Sequence, residues 1–103
     1  MVRRKLIWSP EAASDRIIIF KYWNQRNKSN VYSKRLAKLF RRESQKLLKQ
    51  PFLGKVTSDK NLRALIIEHF LLIYLIRTDS IEIVNIWDGR RNPEDLKKLI
   101  DKN

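Results

Sequence analysis

Residues 62–93 read LRALIIEHFLLIYLIRTDSIEIVNIWDGRRNP, and the fold turns on how this stretch is divided. Two polar interruptions, Glu68-His69 and Thr78-Asp79-Ser80, cut it into three apolar runs: Leu62–Ile67, Phe70–Ile76 and Ile81–Trp87. Each run is short and rich in branched or aromatic residues, the pattern of a strand rather than a helix. Links this short join antiparallel neighbours, because a parallel crossover needs a dozen or more residues. The stretch therefore predicts an antiparallel meander of three strands. Its last strand runs directly into Asp88-Gly89-Arg90-Arg91-Asn92-Pro93, which delivers two adjacent cations at a strand end. The middle run is apolar at every position, so both of its faces need cover. Helices elsewhere in the chain can bury one face. The other is left to loose packing, a groove or a partner chain.

Upstream, Arg3 to Trp8 reads as a short extended segment that adds a strand to one edge of the meander. Ser9 then caps a helix, with Pro10 at its first position and Glu11 in its first turn. This helix is expected to run to about Gln25. Ala13, Ile17, Phe20 and Asn24 share one stripe, and Ala12, Ile19 and Trp23 widen it. Residues 26–30, RNKSN, form a polar break. A second helix is expected from about Asn30 to Lys49, burying Tyr32, Leu36, Leu39, Phe40, Leu47 and Leu48. Arg35, Lys38, Arg42, Lys46 and Lys49 recur on it at intervals of three and four, so they form a basic stripe. With a short link between them, the two helices predict an antiparallel hairpin. Gln50-Pro51 ends the second helix, and Phe52 to Asn61 reads as a loop. Beyond the meander, Asn92 caps a short helix running from Pro93 to about Ile100. The fold class is α+β, one domain over residues 1–103, in the order β-α-α-β-β-β.

Composition narrows the function. The 103 residues carry 23 Lys and Arg against 11 Asp and Glu, a formal charge of +12. A field of that sign draws nucleic acid, a ribosome, an anionic membrane or an acidic protein. Hydrophobic residues make up 43%, too many for a disordered chain. With no cysteine and one histidine, thiolate metal sites and disulfides are excluded, and a zinc site would have to rely on carboxylates. No metal or other cofactor is expected. No secretory signal or bilayer-spanning stretch is read, so the expected location is the cytoplasm, with no membrane partner.

The order strand, helix, helix, meander and basic Gly-Arg turn resembles the RelE/ParE superfamily of toxins from bacterial type II toxin–antitoxin pairs. The resemblance spans about Leu6 to Leu96. It rests on Trp8-Ser9-Pro10-Glu11-Ala12, on Leu62-Arg63-Ala64-Leu65, on Phe70 to Tyr74, and most specifically on residues 86–93, IWDGRRNP. It implies a toxin held inactive by a cognate antitoxin whose amphipathic C-terminal segment wraps it. RelE-like members cut mRNA on the ribosome, using meander Lys and Arg to activate the 2′-hydroxyl and stabilise the phosphorane. ParE-like members lack that set and poison DNA gyrase.

Cleavage by 2′-hydroxyl attack needs a proton acceptor, cations at the phosphate and a donor for the leaving oxygen. Arg63 shares its strand face with Leu65 and Ile67. Leu71 and Leu72 stand where a nuclease of the family would carry an arginine after the aromatic, and Leu96 falls near the family's C-terminal aromatic. The nuclease candidates reduce to Arg63, Arg90, Arg91 and His69. The target-binding candidates are Arg63, Trp87, Arg90 and Arg91. The antitoxin-binding candidates are Arg35, Lys38, Arg42 and Lys46. For Arg90 and Arg91 the bland alternative is a solvated turn paired with Asp88, Glu94 or Asp95. For Trp87 it is core or rim packing, for Tyr74 a core position with a satisfied hydroxyl, and for the helical stripe a solvated face. The apolar middle strand leans the reading towards a ParE-like gyrase inhibitor. A ribosome-dependent endoribonuclease and a basic nucleic-acid-binding module stand as the alternatives.

Overall fold

The computed structural model of the protein describes residues 3–90. Strand β1 (Lys5–Trp8) leads into helices α1 (Pro10–Asn27) and α2 (Val31–Gln45), the latter extended by a 3-10 turn at Lys46–Leu48. Strands β2 (Lys55–Val56), β3 (Leu62–Ile67), β4 (Phe70–Ile76) and β5 (Ser80–Asp88) follow. They form one sheet in the order β1-β5-β4-β3-β2. The three apolar runs are the three central strands, paired antiparallel as their short links require. β1 joins the β5 edge in parallel, so the sheet is mixed at that side. The helical hairpin between β1 and the meander supplies the long connection that a strand parallel to its sheet neighbour needs.

Strand register assigns the faces. Leu65, Ile67, Phe70, Leu72, Tyr74, Ile81, Ile83 and Ile86 lie towards the helices and are buried with Ala12, Ile19, Leu36, Phe40 and Leu47. Phe40 meets Phe70 edge-on at 5.4 Å and stacks on Phe20 at 6.2 Å, separations at which aromatic pairs add to area burial. On the opposite face Ala64, Leu71 and Ile73 form a second small cluster flanked by Leu62, Val84 and Trp87. The middle strand is thus buried on both faces, and its outer face is no bare groove.

Ser9 ties the hairpin to the sheet. Its Oγ accepts from Ala12 N at 3.0 Å, the N-cap that the sequence predicts, and donates to Val84 O at 2.9 Å. Val84 is the extra residue of a bulge, since Ile73 pairs with Asn85 and Tyr74 with Ile83. The Asp15 carboxylate accepts from Ile86 N at 2.9 Å, so a helix side chain satisfies backbone beside the bulge.

Three expectations change. Ile17 is 53% exposed and Ile18 51%, so the buried stripe of α1 runs through Ala12 and Ile19 with Phe20 and Trp23, not through Ile17. A helix packed on a sheet at one side hides one stripe only, however apolar the rest is. The segment after α2 contains β2, a two-residue strand too short for an alternation signal. The α-helical hydrogen bonding of α2 stops at Gln45 and tightens to 3-10 before Lys49. The expected helix at 93–100, with its Asn92 cap and Leu96, lies outside the described residues.

Candidate functional site

Arg63 and Arg90 stand at opposite ends of the meander. Arg63 pairs with Tyr74, while Asp88 pairs with Phe70 four residues away along β4, about 13 Å at strand rise. Arg90 lies two residues further still.

Around Arg63 the side chains close on the loop after α2. Its guanidinium donates to Gly54 O at 2.6 Å and to Phe52 O at 3.4 Å, and stacks 4.9 Å from the Phe52 ring centroid. Tyr74 completes the latch. Its hydroxyl donates to Pro51 O at 2.7 Å and accepts from Gly54 N at 2.8 Å. Burial pushes the Tyr74 phenol above its ordinary pKa, against the lowering effect of the Gly54 bond and the Arg63 charge. Gly54 must be glycine here. A Cβ would stand 2.6 Å from Tyr74 Cε1 and 2.9 Å from Ala64 O.

The other end is open. Arg90 stacks 4.9 Å from the Trp23 ring centroid, and Arg26 lies over the same ring at 5.7 Å. Both are exposed. Tyr22 meets Trp23 edge-on at 5.2 Å, and Tyr32 does so from α2 at 4.9 Å. Ile19, Tyr22, Trp23, Arg26, Asp88 and Arg90 line a cavity of about 300 Å³. Asp88 Oδ1 lies 3.5 Å from Arg90 Nε and accepts from Arg90 N at 3.0 Å, which fixes the turn. The buried Trp23 Nε1 has no hydrogen-bond partner among the described residues.

Trp87 faces away from the helices and packs against Ala64, Leu71 and Ile73. His69 is exposed in the β3–β4 turn, where its carbonyl accepts from Gly89 N at 2.8 Å. Its neighbour Glu68 adopts a left-handed φ of 56°. α2 holds it there: Arg35 Nη1 is 3.0 Å from Glu68 Oε2, and Tyr32 donates to Glu68 Oε1 at 3.3 Å. The Tyr32 phenol is raised by burial first and by the Glu68 charge second. Lys46 and Arg42 flank Glu43 at 2.8 and 3.4 Å, and the Lys46 bond leads in holding that carboxyl below its usual range. Of the predicted α2 stripe, Lys38 is exposed and has no ion pair among the described residues. Arg91 lies outside the described residues.

Among the described candidates Arg63 stands apart, while His69 and Arg90 lie at the same end of the sheet. Arg63 belongs to a loop latch, and Arg90 to a rim shared with α1. Sequence reading placed Trp23 in the core and passed over Tyr22 and Arg26. An aromatic pair followed by an arginine one turn on is the signal that was available.

Known proteins bear on this arrangement in two ways. Residues 6–93 match the family described as the ParE toxin of type II toxin–antitoxin system, parDE. The fold matches a solved structure titled "Chromosomal ParDE TA system from P. aeruginosa" with a TM-score of 0.72, at 17% identity, over 82% of this chain and 94% of that one. At that identity the likeness concerns the fold alone. No curated protein sequence gives a significant match.

Proposed function

We propose that this chain, which belongs to the ParE toxin family of type II toxin–antitoxin systems, arrests growth by binding DNA gyrase rather than by cutting RNA. It is the toxin component of such a pair, and its partner is the antitoxin. The observation that supports gyrase binding over cleavage is the separation of the two arginine sites. A phosphorane needs cations and a proton acceptor gathered within hydrogen-bond reach of one another. Arg63 turns its Nη1 to the carbonyls of Phe52 and Gly54, and Arg90 stands at the far end of the sheet.

The target contacts in this reading are Arg90 at the end of β5 and Trp87 on the outer face of the sheet, with Arg91 next in sequence to Arg90 and Arg63 acting through the loop that it holds. The antitoxin covers the basic stripe of α2, where Arg35, Lys38, Arg42 and Lys46 present an exposed cationic face. No described helix is long and apolar enough to cross a membrane. The proposed place of action is the cytoplasm, where gyrase and its DNA lie.

Purified toxin added to gyrase and relaxed plasmid tests the reading. Supercoiling is expected to fall with toxin dose and to recover when antitoxin is added first. Supercoiling that stays intact at saturating toxin, with new mRNA 5′ ends inside codons in a translating extract, would turn the assignment to the endoribonuclease.

A further inference from the structure

Two cations share one indole at the α1–β5 rim. Guanidinium groups from two elements stack on Trp23 at 4.9 and 5.7 Å from its centroid, and the acid lining the same cavity is Asp88. The Asp88 contact to Arg90 Nε is long at 3.5 Å, and Arg26 has no ion pair among the described residues. Among the described residues the site therefore carries two guanidiniums against one carboxylate, while the ring beneath holds a buried N–H without an acceptor. Tryptophan, tyrosine and arginine around a cavity are also the residues that concentrate energy at protein interfaces.

The approach to the cavity is apolar. Ile18, Tyr22 and Arg26 follow one another at intervals of four, so they form a ridge on α1 about 12 Å long at helical rise. Ile18 is 51% exposed and Tyr22 49%. Phosphate groups of nucleic acid gain nothing from an isoleucine ridge. An amphipathic peptide helix gains from both parts, laying apolar residues on the ridge and an acid at its end.

We infer that Arg26, Arg90 and Trp23 form a clamp for a carboxylate of the antitoxin's acidic segment, with Ile18 and Tyr22 seating apolar residues of the same segment. This rests on the toxin–antitoxin reading above and adds a contact separate from the α2 stripe. A bidentate carboxylate between two stacked guanidiniums receives charge-assisted bonds with fixed geometry. The antitoxin then occupies Arg90, so it blocks a proposed target contact directly.

The test uses purified toxin and its cognate antitoxin. Antitoxin affinity is measured by calorimetry for the wild type and for the R26E, R26Q and I18D variants, with circular dichroism checking the fold of each. Affinity is expected to fall about 30-fold or more in R26E, about 10-fold in R26Q and about 10-fold in I18D. In ¹⁵N spectra of the wild type, which need no variant, the Trp23 indole N–H is expected to shift on antitoxin binding and to stay in place with 50 mM inorganic phosphate. Affinity within threefold of wild type in folded R26E and R26Q, or an indole signal that antitoxin leaves unmoved, overturns the clamp. So does a 15-bp DNA duplex that R26E releases while antitoxin binding is unchanged, which would make the site one for nucleic acid. Failure of the gyrase reading shows separately, as intact supercoiling by wild-type toxin, and leaves the clamp standing.

Discussion

Two arginines stack on aromatic rings at opposite ends of the same sheet, each with its guanidinium carbon 4.9 Å from the ring centroid. Their surroundings set them apart. Arg63 finds two carbonyl oxygens within reach and a buried tyrosine hydroxyl binding the same loop. Among the described residues Arg90 finds one carboxylate, at 3.5 Å, and a cavity. A cation that bridges two carbonyls of a neighbouring loop is a fastening. A cation on an aromatic platform beside a cavity is available to a partner. Equal stacking distance therefore says little about role, and what the guanidinium reaches says more.

Substitutions at the two ends are the direct way to break this contrast. The largest effect is expected at Gly54. Gly54→Ala forces a Cβ against Tyr74 and the Ala64 carbonyl, and a loss of about 3 kcal/mol in urea unfolding is expected, the upper range for overpacking. Tyr74→Phe leaves Gly54 N and Pro51 O without their shared partner, so about 2 kcal/mol is expected to be lost in the same measurement. Arg63→Met keeps much of the stacking but drops both carbonyl contacts, and about 1 kcal/mol is the expected loss. Arg90→Gln should change stability by less than about 0.5 kcal/mol, since an exposed ion pair contributes little, while growth arrest on induction is expected to be lost. If Arg90→Gln unfolds the chain more easily than Arg63→Met does, the division between fastening and functional arginine is wrong.

A subtler expectation concerns alkali. Burial raises the Tyr74 and Tyr32 phenols, so the folded chain holds their protons more tightly than the unfolded chain does. The stability this gives is present below the ordinary phenol pKa and is lost as pH rises through the higher folded value. The urea midpoint of the wild type should thus fall faster above about pH 10 than that of Tyr74→Phe. Parallel curves would show that Tyr74 is not the group responsible.

Much of the fold was legible because its signals are local. Ser9-Pro10-Glu11 is a capping sequence whatever surrounds it, and the Ser9 side chain does accept from Ala12 N. Runs of branched residues joined by links as short as Glu68-His69 and Thr78-Asp79-Ser80 pair antiparallel with one another, and the observed strands follow those breaks. Tyr74 reads as a core residue with its hydroxyl satisfied, and it is one. The misreadings are where position, not pattern, decides. Ile17 and Ile18 have the composition of a core and lie at the surface, because the turn of α1 about its axis is set by what it packs against. Arg63, Arg90 and Arg26 are alike in sequence, and nothing local reveals which of them will meet a carbonyl.

The amino-acid sequence alone settles the order of the main elements, the antiparallel meander, the strong positive charge and the family likeness, since each depends on neighbours in the chain or on summed composition. Tertiary structure alone decides that β1 enters parallel beside β5, that the 51–54 loop is latched by Arg63 and Tyr74, and that Arg26 and Arg90 both reach Trp23. Those meetings join residues up to 75 positions apart, as Ser9 and Val84 are. Their free energy is realised only when the chain has already brought both partners to one place, so no local pattern encodes them.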